Sequence, residues 1–416
     1  MSAYRWYVLC ILTLCHTLSL VDSKLPFILL EDIKRDLGAS DTAIGFITGP
    51  AFSVVFALLA FPLARIADVH SRKRVLGFCV LAWSAFTAAA GLARTATQLV
   101  FSRVGVALGE AGCVPAAHSM IADYFAPNSR AIAISVFMAG AVFGTAIALA
   151  AGGWVAQHHG WRDALYVVGA CGLILSAVMF LTVKEPHRQS PVPDTPTATL
   201  AAGYGSMLRN RVILHSVIGG TLLCLALGSI SAWQPAYVQR HFGLDVGTAG
   251  WTLGLASLVV GLLGTLLGGV VNDVLGRRRG GSGYKFLAAS FGAAAMLRVG
   301  SFCVDDYTVF LVVSSASTFL LVFYLGPTFA TVQSLVQPQH RSRASALLAF
   351  ACNGVGIAGG AFLTGLFSDW FSPAFGHGSL RIAMLILSVP LLPGAWHYWL
   401  GGRALAAPAH VEVVVV

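Results

Sequence analysis

The sequence predicts an all-α membrane protein, with twelve transmembrane helices set in two pseudo-symmetric six-helix bundles. Three observations carry that prediction: an apolar composition, a succession of apolar stretches of spanning length, and residues repeated at one offset between the halves. Of 416 residues, 57% are hydrophobic and 10% charged, and the mean hydropathy is +0.78. A water-soluble chain carries roughly a quarter charged residues. Forty-five glycines and sixteen prolines lie largely inside apolar stretches, where membrane helices tolerate them better than soluble ones.

A bilayer crossing needs about 20 mainly apolar residues. The stretches that qualify are 4–28, 43–64, 75–93, 97–122, 131–156, 162–183, 212–237, 249–272, 285–303, 307–335, 344–368 and 380–400. The first reads as a retained helix and not a cleaved leader. Its flank holds only Arg5, its apolar span exceeds a usual leader core, and no A-x-A-like site follows.

The loops set the orientation. Cations cluster as Arg65/Arg72/Lys73/Arg74, Lys184/Arg188/Arg209/Arg211, Arg277/Arg278/Arg279/Lys285 and Arg341/Arg343 on one side. The opposite loops hold Lys24, Lys34, Arg35, Arg94, Arg162, Arg240 and Arg381. The positive-inside bias then places both termini in the cytoplasm. Compact loops and short tails suit a bacterial inner (plasma) membrane. The basic excess, 26 Lys plus Arg against 17 Asp plus Glu, lies in these clusters and not on an aromatic-interleaved face, so no nucleic-acid partner is expected. The eight cysteines include no C-x-x-C pair and read as small packing residues.

The longest connection, 184–211, carries Pro186, Pro191, Pro193 and Pro196, spacing that suits an extended, semi-rigid linker. It separates an N-terminal bundle over 1–183 from a C-terminal bundle with a short tail over 212–416. Gly45, Gly49, Asp68, Arg72 and Arg74 recur at a single offset as Gly250, Gly254, Asp273, Arg277 and Arg279. Pro127-x-x-Arg130 and Pro338-x-x-Arg341 form a looser pair. Parallel paired halves are a transporter architecture in which the substrate site lies between them near the midplane.

The connection between the second and third stretches reads Ala64-Arg-Ile-Ala-Asp68-Val69-His-Ser71-Arg72-Lys73-Arg74. It resembles the loop signature G-x-x-x-D-R-x-G-R-K/R of the major facilitator superfamily, departing at Ala64, Val69 and Ser71. The copy from Gly269 through Asp273, Gly276, Arg277 and Arg278 has both glycines. A carboxylate at a helix end can pair with guanidinium groups or face a helix N-terminus. Asp68, Arg72, Lys73, Asp273, Arg277 and Arg278 are therefore candidate cytoplasmic gate residues, and plain positive-inside anchoring is the alternative.

A second resemblance covers roughly residues 18–186. The run Trp83-Ser84, Arg103-Val-Gly-Val-Ala-Leu-Gly109-Glu110-Ala111-Gly112, Asp123-Tyr-Phe125, Gly160-Trp161-Arg162 and Glu185-Pro186 resembles the Spinster family. The family's fourth helix carries R-x-G-x-G-x-G-E-A. On its first helix the family has Asp-Arg where this chain has Asp22-Ser23-Lys24. The resemblance implies the major facilitator fold, with helices 1, 4, 7 and 10 around a cavity. It also implies transport of lysophospholipids or sphingosine-1-phosphate-like lipids, linked to protons in some members.

Arg103 and Glu110 stand out on physical grounds as well. They lie almost two turns apart on one helix face, about 10 Å along the axis, and charge inside a membrane helix normally faces a cavity or a partner. The first and fourth helices run in opposite directions, which brings Asp22 to the depth of Arg103. An Asp22–Arg103 pair leaves Glu110 comparatively isolated, and an isolated carboxyl in hydrocarbon favours its neutral form. Glu110, with Asp22, is therefore the proton-coupling candidate, and a structural network joining the two helices is the alternative. Arg103 suits an acidic head group.

Other polar residues within spans carry weaker signals. His16 reads as packed more readily than as a relay. Arg298 is expected to snorkel outward or to pair with Asp305 or Asp306. Trp233, Gln234 and Tyr237 either line the cavity or form an interfacial belt, and Asn353 either faces the cavity or bonds a neighbouring helix. Gly140/Gly144, Gly264/Gly268 and Gly356/Gly360 have the small-x-x-x-small spacing of close helix contacts.

No P-loop, H-E-x-x-H or G-x-S-x-G is present, so neither ATP drive, enzymatic hydrolysis, a metal nor a cofactor is expected. The leading expectation is a monomeric secondary transporter working by alternating access. It would be coupled to protons and move a lysolipid-like small molecule across the lipid bilayer. Asp22, Arg103, Glu110, Trp233, Tyr237 and Asn353 are the substrate-binding candidates. Transport of a water-soluble organic anion or drug is the alternative, and a receptor or scaffold is a more distant one.

Overall fold

The computed structural model describes residues 2–186, 200–276, 281–337 and 340–407. Arg277 and Arg278 lie outside them, and the side chains of Asp68 and Asp273 are likewise outside the description. Among the described residues the chain is helical, without a strand. The helices are α1 (Ser2–Ile28), α2 (Leu30–Leu37), α3 (Asp41–Thr48), α4 (Pro50–Val69), α5 (Arg72–Ala90), α6 (Ala96–Glu110), α7 (Cys113–Tyr124), α8 (Pro127–His159), α9 (Trp161–Thr182) and α10 (Leu200–Arg209). Then come α11 (Arg211–Phe242), α12 (Val246–Gly276), α13 (Ser282–Ser301), α14 (Tyr307–Val322), α15 (Leu325–Ser334), α16 (Arg341–Ala349), α17 (Ala358–Phe375), α18 (Ser379–Ile386) and α19 (Leu391–Ala406).

Ten helical runs among the described residues are long and apolar enough to cross a membrane. One of them, Arg343–Ala406, extends over 64 residues and takes in both stretches expected at 344–368 and 380–400. The stretch expected at 285–303 is helical as α13 but is not among the ten. The side chains left outside the packed interior are those of a lipid-facing surface: Leu58, Phe101, Ile174, Leu181, Trp251, Met296 and Trp370 are all exposed. In water such a surface would aggregate; in hydrocarbon it is matched to its solvent.

The chain divides into two compact units, Met1–Asp194 with Val238–Leu258, and Thr195–Tyr237 with Val259–Val416. In the first, Leu12, Cys15, Val80, Trp83, Val106, Met120 and Phe137 form the packed interior. α1 lies on α8 because Gly140 and Gly144 present no side chain. A Cβ at Gly144 would meet the Thr17 backbone and Leu20 Cβ. Gly109 is held in the same way against the Trp83 backbone, which brings α6 onto α5. Between lipid-solvated helices this close approach supplies the van der Waals contact that the hydrophobic effect does not.

Two breaks within the first unit have local causes. Gly49, between α3 and α4, leaves helical geometry at φ −109° and ψ −97°, and Pro50 then starts α4. Between α6 and α7, Ala111 and Gly112 form a turn. Pro115 has no N–H for the Ala111 carbonyl and its ring crowds that oxygen, so the expected fourth helix is two helices, with Glu110 as the last residue of the first.

The second unit is built around Ile213, Leu223, Cys224, Tyr284, Phe291, Leu321, Leu348 and Tyr398. It reuses the glycine device: a Cβ at Gly356 would meet Cys224 and the Thr221 carbonyl, and one at Gly360 the Leu225 carbonyl. Gly356 lies in a π-helical turn, Phe350–Ile357, that joins α16 to α17. Part of the connection expected to be extended, 184–211, is helical as α10, with Met207 fully buried in the second unit's core. The prolines of that connection all precede α10.

Candidate functional site

The polar centre of the first unit is formed by α1, α5 and α6. Asp22 is 1% exposed, Arg103 3% and Glu110 4%, so each charged side chain depends on its neighbours and not on water. Arg103 Nη1 stands 3.5 Å from Asp22 Oδ1 and donates to the Asp22 carbonyl at 3.4 Å. The side-chain contact is at ion-pair distance but too long for a well-formed hydrogen bond. The other Asp22 oxygen accepts from the Thr87 hydroxyl. The Arg103 guanidinium also lies over the Phe52 ring, 5.0 Å from its centroid, a cation–π contact that desolvation strengthens.

Glu110 is held differently. Its Oε2 accepts from the Ser19 hydroxyl at 3.0 Å, while Oε1 has no hydrogen-bond partner. A buried carboxylate with one oxygen unsatisfied is costly as an anion, and protonation relieves that cost. A small cavity reaches this centre, lined by Asp22, Thr87, Arg103, Pro26, Leu99 and Val106 among others, with room for on the order of one water molecule. The Lys24 ammonium sits over the Phe27 ring at 4.9 Å. His16 is buried and stacked on Phe137, with centroids 4.6 Å apart.

The loop signature builds a second constellation in the same unit. Arg72 is 2% exposed. Its Nη1 reaches Asp123 Oδ2 and, at 3.0 Å, the Ser119 hydroxyl; Nε donates to Glu185 Oε1 at 3.0 Å, and Nη2 to the Pro186 carbonyl at 3.1 Å. The backbone N–H of Lys73 donates to Glu185 Oε2 at 2.8 Å, as does the Ser71 hydroxyl at 2.7 Å. The Glu185 carboxyl is held below the usual glutamate range. Half-burial alone would raise it, and the Lys73 N–H, Ser71 hydroxyl and Arg72 guanidinium more than offset that effect.

Also within the first unit, Arg240 pairs with Glu31 and with Asp41, each at 2.7 Å, and Lys34 meets Asp41 at 2.5 Å. Sequence reasoning missed this cluster, because Glu31 and Asp41 fall in one expected connection and Arg240 in another far along the chain, with no motif among them; the structure places them in α2, α3 and α11. Ser19 and Thr87, the hydroxyls that hold the two central carboxylates, were missed too. Their only signal is a polar residue in an apolar run. Asp123 and Glu185 were visible as parts of the resemblance, though not as partners of Arg72.

In the second unit Trp233 is fully buried and donates Nε1–H to the Ala361 carbonyl at 2.8 Å. Tyr237 is 1% exposed and packs on Phe302 and Phe310. Both belong to the packed interior of the unit. Asn353 is exposed, within the π-helical turn, where widened backbone hydrogen bonding is often found at functional sites. Arg298 neither snorkels nor pairs with Asp305 or Asp306; it is fully buried against α14. Asp306 instead caps α14, accepting from the Val309 N–H at 2.9 Å.

Spanning helices with buried charge at their core and paired glycine contacts are the architecture of a membrane carrier. The family model of the Major Facilitator Superfamily matches residues 12–361, and the chain belongs to that superfamily. It is similar to an MFS-type efflux pump of Mycolicibacterium smegmatis, with 34% identity over 95% of this chain and 92% of that one. A probable galactarate/D-glucarate transporter of Bacillus subtilis is 25% identical over 74% of this chain and 72% of its own. Among solved structures, a bacterial homologue of the human lysosomal transporter Spinster, inward-facing and unoccupied, has a TM-score of 0.86 at 26% identity. The match covers 98% of this chain and 100% of that chain. The protein is an integral multi-pass transporter of the superfamily, similar to Spinster.

Proposed function

We propose that this transporter couples proton movement to the passage of an organic solute with an acidic head group, and that Glu110 carries the proton. One observation supports this most directly: Glu110 is 4% exposed, at the α6–α7 break, with Oε1 unpartnered. Protonation removes the cost of that oxygen, and deprotonation makes Glu110 compete with Asp22 for Arg103. The site is thus bistable, and a proton or an acidic head group at Arg103 biases it. Asp22 is the second proton-linked group. Within the second unit, exposed Asn353 is the proposed substrate contact, while Trp233 and Tyr237, also candidates by sequence, are buried in its packed interior.

The solute on this reading is amphipathic and lysolipid-like, in keeping with the similarity to Spinster. A water-soluble sugar acid is the second reading, favoured by the relative named as a galactarate/D-glucarate transporter. The protein works as a monomer by alternating access in a bacterial inner membrane, with both termini cytoplasmic. Asp68, Arg72 and Lys73 in the first half, and Asp273, Arg277 and Arg278 in the second, are the proposed cytoplasmic gate residues.

The test uses purified protein in proteoliposomes under an imposed pH gradient, with 1-oleoyl-lysophosphatidylethanolamine and D-glucarate as separate probes. The wild type moves one of them faster with the gradient than without it. Glu110→Gln, folded by size-exclusion and helicity, keeps passive exchange but loses the response to the gradient. A full response in that variant removes Glu110 from proton coupling.

A further inference from the structure

Arg298 is the one cationic side chain of the second unit that is wholly withdrawn from solvent among the described residues. It takes part in none of the ion pairs among those residues. Guanidinium does not shed its proton in proteins, so the charge is present whatever the surroundings. An uncompensated buried charge is strongly unfavourable, and neutral acceptors satisfy only part of this one. Nη2 donates to the Ser314 carbonyl at 3.0 Å and to the Thr318 hydroxyl at 2.7 Å. Nε and Nη1 have no partner. Two of five N–H donors are in use and three are open.

The surroundings are built, not incidental. Ser301 bonds the Arg298 carbonyl within α13, and Ser317 reaches from α14 to the Ala294 carbonyl, fastening α14 to α13. One turn nearer the α13–α14 connection, Phe302 and Phe310 are fully buried and pack on Tyr237 at 5.2 and 5.3 Å. Asp305 and Asp306, in the connection itself, are exposed, and neither pairs with Arg298. On another side the wall is polar and partly open: Thr318 and Gln234 are half-buried, and Gln234 Nε2 donates to the Ser314 hydroxyl at 3.2 Å.

We propose that Arg298, with Thr318 and Gln234, forms an anion-binding subsite in the second unit that takes a carboxylate or phosphate group. Several acceptor oxygens on one anion satisfy the open Nε and Nη1 donors and supply the missing counter-charge in one step. The group is either the head of an anionic lipid or that of a free acidic solute. The subsite deepens the reading of the protein as a carrier of acidic solutes and is tested without transport, so the failure of either leaves the other standing.

The experiment is residue-resolved protection of Arg298 from phenylglyoxal, read by peptide mass spectrometry on the full-length wild-type protein in delipidated detergent. The arms contain no added anion, inorganic phosphate, D-glucarate, or mixed micelles with phosphatidylglycerol. Arg298, wholly buried at rest, is modified in the bare arm as the half-buried Thr318 and Gln234 side admits the reagent, and an anion protects it several-fold. Protection by phosphate or D-glucarate identifies a solute site, and protection by phosphatidylglycerol alone identifies a lipid head-group site. Modification that no arm reduces, or no modification in any arm, overturns the proposal. As a second measurement, the rise in Tm with saturating phosphate is lost in Arg298→Gln where that variant folds. A full rise in the folded variant also overturns the proposal. The labelling needs no variant and stands if Arg298→Gln fails to fold.

Discussion

Arg72 and Glu185 are joined twice: the Arg72 backbone N–H and its side-chain Nε both donate to Glu185 Oε1, at 3.2 and 3.0 Å. The carboxylate therefore neutralises a buried guanidinium and caps the N-terminus of α5, where the helix dipole favours an anion. A residue beyond the last turn of α9 is thereby tied to the first turn of α5, and Asp123, at the end of α7, is tied to the same guanidinium. The loop signature in this unit acts as a three-way fastening.

Removing Arg72 leaves two carboxylates without their cation. Arg72→Met is expected to cost about 3–5 kcal/mol, seen as a large fall in Tm of the detergent-solubilised protein. Arg72→Lys recovers only part, because an ammonium cannot reach Glu185, Asp123 and the Pro186 carbonyl at once. A loss below about 1 kcal/mol for the Met variant shows that water replaces the fastening.

The pH dependence has a definite sign. Glu185 is held below its ordinary range, so its stabilisation is fully present above the unfolded value of about 4.3. It fades as pH falls through the depressed folded value. The Tm difference between wild type and Glu185→Gln is therefore constant near neutrality and shrinks toward zero in acid. A difference that widens on acidification contradicts the assignment.

Pro115→Ala restores the N–H that the Ala111 carbonyl lacks and favours a continuous helix through Ala111 and Gly112. Stability holds or rises by about 1 kcal/mol. Transport falls on the order of tenfold, because Glu110 is carried away from Ser19. Unchanged transport, measured as initial uptake in proteoliposomes, shows that the break does not set the position of Glu110.

The glycines differ in what they can tolerate. A Cβ at Gly144 would lie 2.7 Å from Leu20 Cβ and closer still to the Thr17 backbone, whereas one at Gly264 would stand 3.4 Å from Val322. Gly144→Ala is expected to cost about 1–3 kcal/mol. Gly264→Ala is expected to be neutral or stabilising by up to about 1 kcal/mol. Thermal unfolding of the two variants side by side checks the contrast.

Much of this was readable from residues alone. Depth matching along antiparallel helices anticipates the Asp22–Arg103 juxtaposition, and the structure brings the two to 3.5 Å. The glycine spacing at Gly140/Gly144 and Gly356/Gly360 marks real helix contacts. Other readings needed coordinates. Pro115 breaks the fourth span beside Glu110, Arg298 turns inward, and Trp233 spends its N–H on the Ala361 carbonyl.

By itself the sequence determined the spanning helices, the superfamily and which charges lie in hydrocarbon, because the bilayer imposes its thickness and dielectric on each segment locally. Only the tertiary structure decided which partners those charges have. The contacts that settle the matter join residues remote along the chain, such as Ser19 with Glu110 and Arg240 with Asp41. Such pairings depend on helix rotation and offset, which close packing fixes and periodicity leaves free.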